Sequence, residues 1–403
     1  MADLRPVTSG EVEEFLDVMT GAFGERREAW HDREFRRRVP LESTVAAFQD
    51  GTLVGTSATL PLTLSVPGGS CSAAGITAVG VLPTHRRRGL LRAMMDAQLR
   101  KARTAGQPVS ILWASEGSIY GRFGFGPATR RLRVSFETAR ASLSEEKVSG
   151  PLRLVGRDEA LRLMPAVYER LLESRPGLLR RNEIAWDYLT ADGNPDLPAA
   201  EARHFFVVHG ETPDGYLIYR VRPGTSSFGP RETALVTELV GDGPGPAPDL
   251  WHYLLNLDLV STVEARQRPV DESLIWMLRD PQGLDVGWRT GIWARLLDVP
   301  LALGCRGYQE DGDLILQVTD PFLPAAAGRF HLRVRGGVGT CAPTEKDADL
   351  RLGVSELSSG YLGQLCYGAL SRAGQIEEAS PGAALRADRI MGWDPPPWCL
   401  DDF

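Results

Sequence analysis

Residues 76–91 read Ile-Thr-Ala-Val-Gly-Val-Leu-Pro-Thr-His-Arg-Arg-Arg-Gly-Leu-Leu. The first seven, Ile76 to Leu82, are β-branched or small and uncharged, which predicts a strand. Pro83 and Thr84 end it. From near His85 to about Thr104, Leu91, Met95, Leu99 and Ala102 recur at helical spacing, which predicts a helix with one apolar face. Arg86, Arg87 and Arg88 then fall in its first turn. The helix macrodipole is positive there, so three cations are unfavourable unless an anion offsets them. Gly89 costs roughly 1 kcal/mol relative to alanine inside a helix, yet it lets a ligand reach the backbone amides. A strand, a basic turn, a glycine and free helix amides suit a pyrophosphate. The arginines alone would equally fit a solvated basic face or a nucleic-acid patch.

Twenty-seven residues beyond Leu91 the chain reads Ser118-Ile119-Tyr120-Gly121-Arg122-Phe123-Gly124-Phe125-Gly126. Arg86 to Leu91 resembles the R/Q-x-x-G-x-G/A acetyl-CoA loop of the GNAT N-acetyltransferases, with Leu91 in place of the final small residue. The Tyr120 segment is similar to the Y-x-x-x-G-F segment that follows the CoA helix in those enzymes. Together, T-H-R-R-R-G-L-L and A-S-E-G-S-I-Y-G-R-F-G-F-G-P-A-T resemble the Eis (enhanced intracellular survival) family of actinobacterial acetyltransferases.

The 403 residues allow two to three domains at ~150 residues each. A net charge of −7 disfavours general nucleic-acid binding and favours a cationic small molecule. No apolar run reaches membrane-spanning length and the N-terminus lacks the apolar core of a leader, so cytoplasmic residence is the expectation. Cys71, Cys305, Cys341, Cys366 and Cys399 are scattered, with no C-x-x-C pair, and the six histidines show no metal-ligand spacing, so no metal is expected.

In chain order, Thr8 or Ser9 caps a helix whose Val12, Phe15, Leu16, Met19 and Phe23 mark an apolar face. Thr44–Gln49 and Leu53–Val66 alternate as antiparallel strands about Asp50-Gly51. After the cradle come strands at 109–114 and 127–137 and a polar helix around Glu145-Glu146-Lys147. A second α/β unit begins at Leu152, with a helix at 161–172, a hairpin at 205–208 and 216–221, a strand at 233–239 and a helix holding Trp251, Leu254 and Leu255. It repeats the first unit's order without the basic turn. Ile292 to Leu303 is expected to be a short helix, followed by strands at 314–319 and 329–335. Residues 348–363 resemble the strand-then-helix of sterol-carrier-protein-like domains.

The fold class is therefore expected to be α/β (α+β): an N-terminal GNAT domain over 1–148, a degenerate GNAT-like domain over 149–288 and a sterol-carrier-like domain over 289–403. The resemblance implies acetyl-CoA as co-substrate, held by Val79, Gly80 and Val81 along the strand and by Arg86, Arg87, Arg88, Gly89, Leu90, Leu91 and Arg92. Ser115 and Glu116 fit cofactor contact or an ordinary helix cap. Tyr120 is the candidate general acid, although a packed tyrosine beside Phe123 and Phe125 is the plainer reading. A phenol of reference pKa ~10 protonating a thiolate of ~8.5 is uphill by about 2 kcal/mol. In the family the base is the carboxylate of a terminal phenylalanine, which points to Phe403, after Asp401 and Asp402 and the stiff Pro395-Pro-Pro. A free α-carboxylate has a pKa of only ~3.5, so burial or a water must assist it. The resemblance also implies a homohexamer and a cationic amine acceptor, aminoglycosides being the family's best-known. Protein lysine acetylation and, from a different class, lipid or sterol carriage are the alternatives.

Overall fold

The computed structural model describes all residues except 1, 144–148, 198, 227–228, 242, 244 and 365. The polar helix expected around residues 145–147 lies outside them. The chain divides into two compact units: Met1–Thr129 with Gly291–Asp394 and Asp401–Phe403, and Arg130–Thr290 with Pro395–Leu400.

In the first unit β1 (Asp3–Arg5), β2 (Ala46–Gln49), β3 (Thr52–Val66) and β4 (Gly69–Val81) form an antiparallel meander. Strand alternation divides their side chains between two faces. Ala46, Phe48 and Leu53 enter a cluster with Phe15 and Leu16 of α1 (Val12–Phe23), while Ala47 and Val54 enter another. α2 (Ala29–Arg38) adds Phe35 to the first cluster, its ring 5.0 Å from that of Phe15. On the opposite face α3 (Leu90–Thr104) buries Leu90 and Met94, and farther along Met95 and Leu99. β5 (Val109–Trp113) joins β4 in parallel, but only over Ala73–Gly75 against Val109–Ile111. Beyond Gly75 the two strands separate. A bulge opposite Thr56 and Ala58 accompanies the split, with Ala78 at φ 53° and its carbonyl accepting from the Thr56 hydroxyl at 2.9 Å.

The same unit carries a five-stranded sheet in the order 338–343, 328–335, 312–319, 350–353, 377–378. The interior beside it is filled by Tyr308, Tyr361 and Tyr367 near the buried Arg306, whose guanidinium donates to the carbonyls of Tyr361 and Met391. The second unit has a seven-stranded sheet in the order 285–290, 130–137, 260–268, 232–241, 215–222, 205–209, 152–155.

Three expectations need correction. The helix expected from His85 starts at Leu90, because a 3-10 turn over Pro83–His85 and left-handed backbone at Arg87 (φ 63°) and Gly89 (φ 82°) intervene. Of the strand expected at 127–137 only Pro127, in the short strand Gly126–Pro127, lies in the first sheet; Arg130–Glu137 pairs within the second. Residues 292–303 are not one helix. Ile292–Leu296 is a strand paired with β5, and a helix follows at Val299–Cys305 after Asp298 caps it by accepting the Leu301 amide.

Candidate active site

The split between β4 and β5 opens beside the N-terminus of α3. A cavity of about 700 Å³ there is lined by Val79, Gly80, Val81, Arg86, Arg87, Gly89, Leu90, Leu91, Arg92, Ser115, Glu116 and Tyr120, with Ala22, Phe23, Ile119, Arg122 and Phe123. Of the cradle arginines the cavity lacks only Arg88, whose guanidinium turns back to the Thr84 carbonyl at 3.1 Å. Arg86 is also held by main chain, donating to Ala22 at 2.7 Å and Val81 at 3.3 Å. It braces the turn. Arg87 and Arg92 are exposed cations on the lining, and Arg122, which the sequence reading did not single out, is a third. Its guanidinium bonds the Ile119 carbonyl at 2.9 Å.

The first amides of α3 have no acceptor within the helix. A Cβ added at Gly89 would meet nothing within 4 Å, so the approach to those amides is open. Cations, free amides and open space fit a pyrophosphate.

Ser115 and Glu116 follow β5 and also line the cavity. Glu116 stands at the N-cap of α4 (Gly117–Tyr120), with no side-chain capping bond. Tyr120 ends α4, buried among Ile76, Met95, Leu99 and Phe125, yet on the cavity lining. Its hydroxyl has no hydrogen-bond partner among the described residues. Burial, and secondarily the negative charge of Glu116, raise its pKa above 10. The phenol keeps its proton at neutral pH.

Phe403 does not line the cavity. It packs into the α1-side cluster, and a Cβ on Gly75 would lie 3.1 Å from its ring. The indole of Trp113, the last residue of β5, donates to the Asp401 carbonyl at 2.9 Å. Gly75 is where the strand pairing ends, so Tyr120 and Phe403 approach the split from opposite sheet faces.

A mixed sheet split at its centre, beside a helix N-terminus ringed by arginines, defines an acyl-CoA-dependent transferase of the GNAT type. The chain matches acetyltransferase (GNAT) domain models over residues 3–128 and 177–296 and the sterol carrier protein domain model over 299–400. It is 34% identical over 377 residues to the N-acetyltransferase Eis of Mycobacterium tuberculosis, covering 90% of each chain. It is 35% identical to an uncharacterized N-acetyltransferase of Streptomyces avermitilis, over 100% of this chain and 99% of that one. The crystal structure of Eis1 from Mycobacterium abscessus superposes with a TM-score of 0.86 at 31% identity, over the full length of both. The chain belongs to the Eis family of GNAT N-acetyltransferases. It is an acetyltransferase with two GNAT domains and a sterol-carrier-like domain, and it uses acetyl-CoA to modify an amine. Among the described residues no helix is long and apolar enough to cross a membrane.

Proposed function

We propose that the chain transfers the acetyl group of acetyl-CoA to a primary amine of a cationic small molecule, of the aminoglycoside class that the family resemblance implies. The observation that carries the reading is the split itself, with a cationic cavity and a buried phenol on one side and an acidic tail on the other. Arg87, Arg92, Arg122 and the amides of Leu90, Leu91 and Arg92 hold the pyrophosphate, and Val79–Val81 offers main chain to the pantetheine arm. Arg86 and Arg88 brace the turn.

The amine nitrogen forms its bond to the acetyl carbon as the carbon–sulfur bond breaks. The proton on nitrogen passes to the terminal carboxylate that the family resemblance assigns to Phe403, directly or through water, and Tyr120 gives its proton to sulfur. Because burial raises the Tyr120 pKa, transfer to a thiolate already expelled is more uphill than the reference ~2 kcal/mol, so the proton moves as the bond breaks. Asp401 and Asp402 attract the cationic acceptor. The 1–148 module carries the chemistry, 149–288 is scaffold, and 289–403 delivers the tail. A homohexameric, cytoplasmic enzyme completes the reading.

Thiol release from acetyl-CoA across aminoglycosides, polyamines and lysine peptides tests it. Fastest turnover with aminoglycosides supports the proposal. Turnover confined to peptides would replace the small molecule by a protein acceptor.

A further inference from the structure

Besides carrying the tail, the sterol-carrier-like module has two elements, the turn at Asp320 and the helix Val354–Gly360, that reach the turn presenting Tyr120. We propose that a buried pair, Arg295 and Asp320, positions this turn, so that the module is a clasp for the catalytic acid; the inference rests on reading Tyr120 as that acid.

Arg295, fully buried on the strand Ile292–Leu296, donates one guanidinium nitrogen to the Phe123 carbonyl at 2.6 Å and another to the Asp320 carboxylate at 2.5 Å. The second carboxylate oxygen of Asp320 accepts the amides of Phe322 at 3.0 Å and Leu323 at 2.8 Å. Those bonds fix the Phe322 ring, which meets Phe123 edge-on at 4.9 Å and lies under the Arg92 guanidinium at 4.9 Å. Both ends of the pair thus grip Phe123, three residues after Tyr120. The turn's own bonds transmit that grip, since the Phe125 amide donates to the Tyr120 carbonyl at 3.3 Å.

Two glycines of the aromatic segment now have a reason. Gly124 is left-handed at φ 82°, and a Cβ there would lie 1.6 Å from Arg295 Nη1. A Cβ at Gly126 would lie 2.1 Å from Ser359 Oγ, in the helix Val354–Gly360. From that helix the Ser355 hydroxyl donates to the Phe125 carbonyl at 2.7 Å. The small residues admit the clasp.

Stability is a poor reason for this pair. A buried ion pair is often matched or bettered by apolar residues of equal volume. Arg295 Nε is moreover buried without a hydrogen-bond partner among the described residues, a further desolvation cost. What the pair supplies is geometry, and a displacement of ~1 Å at a reacting group costs roughly 10²-fold in rate.

The test is a mutant cycle in the full chain, reading kcat by thiol release, CoA affinity by calorimetry and fold by thermal denaturation. Arg295→Met and Asp320→Asn should each lower kcat by roughly 10- to 100-fold with CoA affinity changed only a few-fold. Asp320→Asn retains the oxygen that accepts the two amides, and serves if Arg295→Met does not fold. Arg295→Lys should recover part of the loss. Combined with Tyr120→Phe, neither substitution should lower kcat further, because both act through the same phenol. Unchanged kcat in a folded Asp320→Asn, or losses that multiply in the combined variant, would overturn the clasp while leaving the acid in place. A near-normal Tyr120→Phe beside an impaired Arg295→Met would instead overturn the acid and the route through it.

Discussion

The two α/β modules share a parallel strand pair that separates partway, and they differ in what fills the gap. In the first, β4 and β5 part after Gly75 and Ile111, leaving the cavity. In the second, strands 232–241 and 260–268 pair in parallel only as far as Val236 and Ala265. Beyond that point the Arg268 guanidinium donates to the Leu239 carbonyl at 2.6 Å and pairs with Glu272 at 2.5 Å. The Trp398 indole donates to the Gln267 carbonyl at 2.8 Å. The second split is plugged by side chains.

The helices after the two splits differ in the same sense. α3 begins amid arginines. Helix Pro246–Leu255 carries Asp249 in its first turn, buried and accepting from the Ser149 amide and hydroxyl, the Gly150 amide and His209. A carboxylate of the chain's own occupies the helix end where the first module leaves room for a phosphate. We propose that which anion sits at this helix N-terminus decides whether the fold serves as a site or as a scaffold.

The largest loss of activity is expected at the acid. Tyr120→Phe should lower kcat by roughly 10²–10⁴ with CoA affinity retained. Steady-state kinetics within a few-fold of wild type would leave the co-substrate cradle, and no general acid, to distinguish the two modules. Next, extending the chain past Phe403 by two glycines puts an amide where the reading needs a charge. Turnover of a cationic acceptor should fall by roughly 10- to 100-fold while the ring and CoA binding persist; kinetics of the extended and native-ended proteins decide it.

The scaffold side responds in stability. Asp249→Asn should cost roughly 1–3 kcal/mol in denaturant unfolding and leave CoA affinity unchanged. Burial opposes charge on His209, but hydrogen bonds to Asp214 and Asp249 outweigh it and raise its pKa above 6.5. A raised histidine stabilises the fold below 6.5 and stops doing so as pH climbs through the folded value. Burial likewise opposes ionised Asp249, but bonds from Ser149, His209 and Gly150 hold its pKa below 3.8, so its contribution is lost only in stronger acid. Unfolding free energy should therefore decline above pH 6.5, and Asp249→Asn should flatten that decline.

Much of the first module was legible because its signals are local. The uncharged run of β-branched and small residues before Pro83, the apolar stripe of α3 and the Tyr120 segment each lie within one stretch of chain. Long-range pairing was not legible. The alternation at 130–137 declares a strand but not its partner, and the residues of 292–303 fit a helix until the first five of them, Arg295 included, pair with β5. Neighbouring arginines were indistinguishable too: Arg87 faces the cavity, while Arg88 turns back to Thr84 because left-handed backbone at Arg87 separates their directions. Arg295 gave no sign at all, since its partners lie 172 residues before it and 25 after.

On the proposed function, the first module alone holds the co-substrate. Calorimetric titration of CoA into the full chain and into Gly89→Glu measures it directly. At Gly89 a side chain is strained by φ 82°, and the new charge would face the open approach and oppose the pyrophosphate. One CoA per chain is expected in the wild type and none in a folded Gly89→Glu. Two per chain, or one that survives the substitution, would contradict that reading.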